Sequence, residues 1–96
     1  MHPNLPTTRQ LRYFVALAEE LHFGHAAEKC FVSQSAFSNA IRELETTLDT
    51  QLVDRTNRRV ALTPVGRKVA EQARGCLNEM QLLVELVSGC LLYTSP

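Results

Sequence analysis

The sequence predicts a mainly helical domain: three short helices, a small two-stranded hairpin and one long terminal helix, in that order along 96 residues. Three observations carry that prediction. In SQSAFSNAIRELETTL, residues 33–48, the apolar residues Phe37, Ala40, Ile41, Leu44 and Leu48 recur at steps of three and four, which marks a helix with one buried stripe. Beyond residue 51 the period changes to alternation, in Leu52-Val53-Asp54 and Val60-Ala61-Leu62 on either side of RTNRR, and this reads as a basic hairpin. After Thr63 and Pro64, the series Val69, Ala73, Cys76, Met80, Leu83, Val87 and Cys90 alternates steps of four and three, the heptad spacing of a helix that packs along a partner helix.

Size and composition narrow the function classes. The length suits one small domain, and a hydrophobic fraction of 45% is ordinary for a soluble globular chain. A formal net charge of zero by itself argues against nucleic acid, but the charges are unevenly placed. Between residues 33 and 68 lie Arg42, Arg55, Arg58, Arg59, Arg67 and Lys68 against Glu43, Glu45, Asp49 and Asp54, whereas from Val69 onward Arg74 stands alone against Glu71, Glu79 and Glu85. A basic middle and an acidic tail are what a chain needs if only its middle meets phosphate. Three cysteines, Cys30, Cys76 and Cys90, form no C-x-x-C pair and have no histidine at metal-ligand spacing, so a reduced cytoplasmic setting with no metal is expected. Cys30 falls in the helix-packing series, and Cys76 and Cys90 fall in the heptad series, so all three read as packing residues. No apolar run reaches the roughly 18 residues of a membrane span, and no membrane partner is expected.

Along the chain, Pro3 and Pro6 oppose regular structure, so residues 1–7 read as a flexible arm. Thr7 or Thr8 can cap a first helix running to about Leu21, with Leu11, Phe14, Val15, Ala18 and Leu21 on its apolar side. His22, Phe23 and Gly24 interrupt the pattern, and a short second helix follows over residues 25–30. Ala26, Ala27, Cys30 and Val32, followed by Phe37 and Ala40, have the spacing of two helices crossing at a turn. Phe31 stands where such units often place Gly, which predicts a turn wider than the tightest form. His22 and His25 have no accompanying carboxylate or cysteine set, so neither a metal nor a catalytic role is assigned to them. Gly89 and the ending LLYTSP should stop the last helix, leaving residues 91–96 as an unassigned tail.

The helix over 33–48 is the candidate functional element. Ser33 is a suitable N-cap, and the side opposite the apolar stripe carries Gln34, Ser35, Ser38, Asn39 and Arg42 in its first turns. Those side chains can bond base edges and phosphates, and a helix with a buried back and such a front suits a DNA major groove. Thr56 and Asn57 are turn formers in the hairpin that follows. Beside a helix-turn-helix unit, such a hairpin makes a wing whose tip arginine, Arg58, can enter a narrow minor groove, with Arg55 and Arg59 nearer phosphates or the core. The heptad residues Val69, Ala73, Cys76, Met80, Leu83 and Val87 are the candidate dimer surface, which would set two reading helices on a pseudo-palindromic site.

These residues resemble a known family. LRYFVALAEELHFGHAAEKCFVSQSAFSNAIRELE followed by LVDRTNRRVALTPVGR resembles the winged helix-turn-helix domain of the LysR-type bacterial transcriptional regulators, and GRKVAEQA resembles the start of their linker helix. The likeness covers about residues 8–87. It implies a winged helix-turn-helix over 8–63, a linker and dimerisation helix over 64–90, and no cofactor in this part of the chain. It further implies a bacterial, nucleoid-associated protein whose small-molecule effector acts through a C-terminal domain of periplasmic-binding-protein type, absent here. The partners it implies are double-stranded DNA, at interrupted AT-rich palindromes, and further copies of the chain, as a homodimer and commonly a tetramer. By position it places base reading on Gln34, Ser35, Ser38 and Asn39, minor-groove contact on Arg58, and phosphate contacts around Ser33 and Arg42. Ser35 stands where many members have Pro, Asn39 where many have Arg, and Asp49 at a common Gly position. Losing that Arg removes a guanine reader and a cation.

Two other readings compete with DNA recognition. A helical interaction module could use the heptad stripe alone, but it has no need of the basic hairpin. An enzyme is rejected, because the sequence has no Gly-rich phosphate loop and no nucleophile with a neighbouring base.

Overall fold

The structure is a computed structural model describing residues 5–56 and 58–94, with residues 91–94 as backbone only. The flexible arm expected at the N-terminus falls largely on residues 1–4, outside the described residues, as does the turn former Asn57. The order is α1 (Thr8–Glu20), α2 (Phe23–Lys29), α3 (Gln34–Leu48), β1 (Val53–Asp54), β2 (Ala61–Leu62) and α4 (Pro64–Thr94). Helices α1, α2 and α3 pack on one another, α4 lies against α1, and the two strands form an antiparallel hairpin with Val53 opposite Leu62 and Asp54 opposite Ala61. This is the winged helix-turn-helix with a long terminal helix that the sequence predicts.

Each helix start has a local cause. Thr7 belongs to α1 as its N-cap: its hydroxyl accepts from the Gln10 N–H at 3.1 Å, and its own N–H donates to Gln10 Oε1 at 3.1 Å, a reciprocal capping box. Helix α2 begins two residues earlier than expected. His22 does not break the helix but caps it, with Nδ1 accepting from the His25 N–H at 3.0 Å. At α3, Ser33 Oγ accepts from the Ala36 N–H at 3.1 Å. At α4, Thr63 Oγ1 accepts from the Gly66 N–H at 3.0 Å and donates to the Gln51 carbonyl at 2.8 Å, so one hydroxyl both starts the helix and fixes the chain entering the wing. Helix α4 then runs through Gly89, where an end was expected, because a single glycine costs a helix only about 1 kcal/mol.

Three junctions use left-handed backbone at residues other than glycine: Leu21 (φ 50°), Phe31 (φ 60°) and Asp49 (φ 51°). Phe31 corrects the expectation of a wide turn. It takes the conformation a glycine would supply, and the Val32 N–H reaches back to the Ala27 carbonyl at 3.1 Å, closing the turn tightly. Asp49 does the same at the end of α3, its N–H bonding the Thr46 carbonyl at 3.1 Å. The left-handed turn at Leu21 carries that side chain out to 48% exposure. Its loss from the core is part of a wider adjustment to α1: Phe14 is buried as expected and Leu11 and Ala18 pack partly buried at the edge of the core, but the fully buried face also takes in Tyr13, Ala16 and Leu17. The reason is that α1 is covered by α4 on one side and by α2 and α3 on the other, so its buried arc is wider than one amphipathic stripe.

The core of the described residues buries no charged side chain, and Phe14, Leu17, Phe37, Ile41, Leu44, Leu52 and Val53 are fully enclosed. Phe37 is its centre, stacked on Tyr13 at 5.3 Å between ring centroids and met edge-on by Phe23 at 6.0 Å. That contact is how α1, α2 and α3 share one aromatic cluster. Gly66 sets the approach of α4 to the wing, since a Cβ there would lie 2.2 Å from the Leu52 carbonyl oxygen.

The wing is tied to α3 by one carboxylate. Glu45 Oε2 accepts from the Leu52 N–H at 2.8 Å and the Val53 N–H at 3.1 Å, and Oε1 accepts from Arg55 at 2.9 Å. Replacing Glu45 by Ala leaves two partly buried N–H groups without acceptors, and chemical denaturation is expected to show a loss of about 2 to 3 kcal/mol. Phe31→Asn should do the reverse. Asn tolerates the left-handed region better, and Phe31 is 94% exposed, so little packing is lost; a gain of about 0.5 to 1 kcal/mol is expected in the same measurement.

Candidate nucleic-acid interface

Helix α3 presents the expected polar front. With Phe37, Ala40, Ile41 and Leu44 turned into the core, Gln34, Ser35, Asn39 and Arg42 are exposed and Ser38 is half-buried. Ser35, Asn39 and Arg42 follow one another at steps of four and three, so they form a ridge along the outer face of the helix. Gln34, Ser38 and Arg42 line the side of that ridge facing the wing, in a groove whose other wall includes Asp54, Arg58 and Arg59. The ridge and the basic wall of the wing therefore belong to one surface. Ser33 lies at its edge, with its hydroxyl already accepting the cap bond.

The arginines of the wing differ in what they do. Arg55 is bound to Glu45 through Nη1, at 2.9 Å and 3.1 Å to its two oxygens, so its first role is to anchor the wing to α3. Arg58 and Arg59 are exposed and have no carboxylate partner among the described residues. The turn leading to them is organised by Asp54, whose Oδ1 accepts from the Thr56 N–H at 2.9 Å and the Thr56 hydroxyl at 2.6 Å. Those two bonds hold the Asp54 carboxyl below its ordinary pKa.

On α4 the expected dimer residues separate into two groups. Val69 is half-buried and Ala73 buried within the domain itself, because the first turns of α4 pack on α1; these two serve the chain's own packing. Cys76, Met80, Leu83 and Val87 are exposed, and Met80 Sδ lies 3.7 Å from the Thr8 hydroxyl at the start of α1. Leu82, Val84 and Leu86 are exposed as well, so the uncovered apolar surface is broader than a single heptad stripe.

The remaining candidates do not assemble into a chemical site. His22 and His25 stack at 3.8 Å, which with the cap bond gives them a structural role. Cys30 is half-buried, and desolvation pushes its thiol above the ordinary pKa against the nearby charges of Arg12 and Lys29. Among the described residues there is no cluster of three or more His, Cys, Asp or Glu able to hold a metal ion, and no helix long and apolar enough to cross a membrane.

Comparison with known proteins agrees with this geometry. A family model described as "Bacterial regulatory helix-turn-helix protein, lysR family" matches residues 8–67. The chain is 48% identical over 80 residues to the hydrogen peroxide-inducible genes activator of Pectobacterium carotovorum subsp. carotovorum, covering 83% of this chain and 26% of that protein. It is 48% identical over 82 residues to the HTH-type transcriptional regulator EstR of Acinetobacter baylyi, covering 85% of this chain and 27% of that protein. The chain thus spans about a quarter of the length of these relatives. Among solved structures, the BenM_DBD/catB site 1 DNA complex superposes with a TM-score of 0.87 at 34% identity, covering 93% of this chain and 96% of that one. Vibrio fischeri DarR in complex with DNA also gives 0.87 at 34% identity, covering 96% of this chain and 31% of that one. With helix-turn-helix, wing and terminal helix in the same order, the chain belongs to the lysR family of bacterial regulatory helix-turn-helix proteins.

Proposed function

We propose that this chain is the DNA-reading part of a transcription regulator, with α3 entering the major groove and the wing reaching the adjacent minor groove. The observation that carries this reading is the shared surface: the exposed polar ridge of α3 lies across one groove from Arg58 and Arg59, which have no carboxylate partner among the described residues. Gln34 and Asn39 each have the amide that bonds adenine bidentately, and Ser35 and Ser38 can donate or accept at neighbouring base edges. Arg58 suits the narrow, electronegative minor groove of AT-rich DNA. Ser33, Arg42 and Arg59 meet phosphate, and Arg55 adds its outward guanidinium nitrogens while Glu45 holds the inner one. These contacts supply a salt-dependent affinity that the zero net charge of the chain conceals.

The exposed Cys76, Met80, Leu83 and Val87 support pairing of two chains through α4. Such a dimer would set two reading helices on an interrupted AT-rich palindrome, each half-site met by one copy. In the whole bacterial protein, we infer a cytoplasmic regulator that assembles further into tetramers and answers to a small molecule bound by another domain. Fluorescence anisotropy against a pool of AT-rich interrupted palindromes and a scrambled duplex, at several salt concentrations, tests the reading. Selective binding that weakens steeply with salt is expected.

Two substitutions separate its parts. Gln34→Ala should weaken binding to the preferred palindrome by about 1 to 3 kcal/mol and relax the preference at one base position. Equal weakening on scrambled DNA would show that Gln34 does not read a base. Arg58→Ala should cost most where the flanking sequence is AT-rich, and competition between duplexes with AT-rich and GC-rich flanks measures the difference. A loss independent of the flanks would count against minor-groove insertion.

A further inference from the structure

Four of the chain's ten basic side chains are already bound within the domain. Lys29 and Arg74 meet Glu19, Arg55 meets Glu45, and Arg67 donates to the Leu62 carbonyl. Arg9, Arg12, Arg42, Arg58, Arg59 and Lys68 have neither an ion pair nor a side-chain hydrogen bond among the described residues. Lys68 lies behind the wing, in a groove with Ala18, Leu21 and Glu71. The other five surround the reading helix: Arg42 is on it, Arg58 and Arg59 line the groove on its wing side, and Arg9 and Arg12 line a second groove on the opposite side.

That second groove runs between α1 and α3, with Ala36, Asn39 and Glu43 along its α3 wall. Asn39 belongs both to this groove and to the outer ridge. The two grooves therefore flank the ridge of α3, each with a pair of exposed, unpaired arginines. A major groove is about 12 Å wide and has a sugar-phosphate wall on either side, so a helix inserted into it has one strand on each flank. We propose that Arg9 and Arg12 form a second phosphate-binding site, which holds the DNA strand on the side of α3 away from the wing. The inference rests on the DNA-reading function proposed above and adds a contact to it.

The position of the phosphate within the groove follows from charge. Glu43, one turn beyond Asn39, repels an anion from that end, which leaves the end near Ala36 at the start of α3. Arg12 lines this groove together with Val32, at the turn into α3, and Ala36. A guanidinium there can meet phosphate oxygens bidentately, which a lysine cannot do.

The test compares the wild-type chain, an Arg9→Gln/Arg12→Gln double variant and Glu43→Gln, by anisotropy on the preferred palindrome and on a scrambled duplex across a range of salt concentrations. In the double variant, affinity should fall by the same factor on both duplexes. The slope of log affinity against log salt should become shallower by about 1 to 2, since each phosphate contact contributes about 0.9. Glu43→Gln should tighten binding to both duplexes at low salt, and because it removes no arginine it gives a readout independent of the double variant. A double variant with an unchanged slope, beside a wild type whose binding is salt-dependent, would overturn the inference and leave the DNA-reading function standing. A loss confined to one sequence would also overturn it, since phosphate contacts do not discriminate bases. A wild-type chain with no affinity for any duplex would overturn both.

Discussion

The carboxylate of Glu45 is the contact on which the arrangement of this domain depends. It reaches from the last turn of α3 to the Leu52 and Val53 N–H groups where the hairpin begins, and it pairs with Arg55 as the chain leaves the first strand. The paired strands have only two residues each, too short to hold an orientation alone. A charge-assisted acceptor at three donors fixes that orientation. Placing Arg58 and Arg59 beside the polar ridge of α3 is therefore a consequence of a residue on the reading helix itself. Glu45 also removes one negative and one positive charge from the exposed surface, so the wing keeps its basic tip.

The other end of the wing is held by backbone and a small hydroxyl. Thr63 bonds the Leu52 carbonyl through its N–H at 3.0 Å and the Gln51 carbonyl through its side chain, while capping α4. Gly66 allows α4 to pass against the Leu52 carbonyl, where any side chain would collide with backbone. Wing and terminal helix are thus locked to the same two residues. Where α4 leaves the domain its apolar residues are uncovered, and the transition falls between the buried Ala73 and the exposed Cys76.

The distribution of charge explains how a chain of zero net charge can present a basic face. Glu19 pairs with Lys29 of α2 and Arg74 of α4, an exposed cluster that contributes little to stability but removes two cations from the open surface. The lowered pKa of Glu19, due first to the Lys29 hydrogen bond, reflects the same pairing. Of the basic residues left unpaired among the described residues, five arginines gather around α3.

Much of this was determined by the sequence itself. Steps of three and four around Phe37, Ile41 and Leu44, a hydroxyl before each of three helices, and the switch to alternation around RTNRR are local signals, and each produced its element. The misjudged features depend on what another part of the chain does. The buried face of α1 follows from being covered by three other helices, and the tight turn at Phe31 from backbone bonds back to α2 that hold an exposed residue in left-handed backbone. The start of α2 turned on an imidazole acting as a cap, a role better signalled by Ser, Thr, Asn or Asp. Arg9 and Arg12 carry no local signal that sets them apart from other exposed residues of α1. Only the packing of α1 along α3 brings them beside Asn39, because proximity between residues nearly thirty positions apart is decided by tertiary contact and carries no local period.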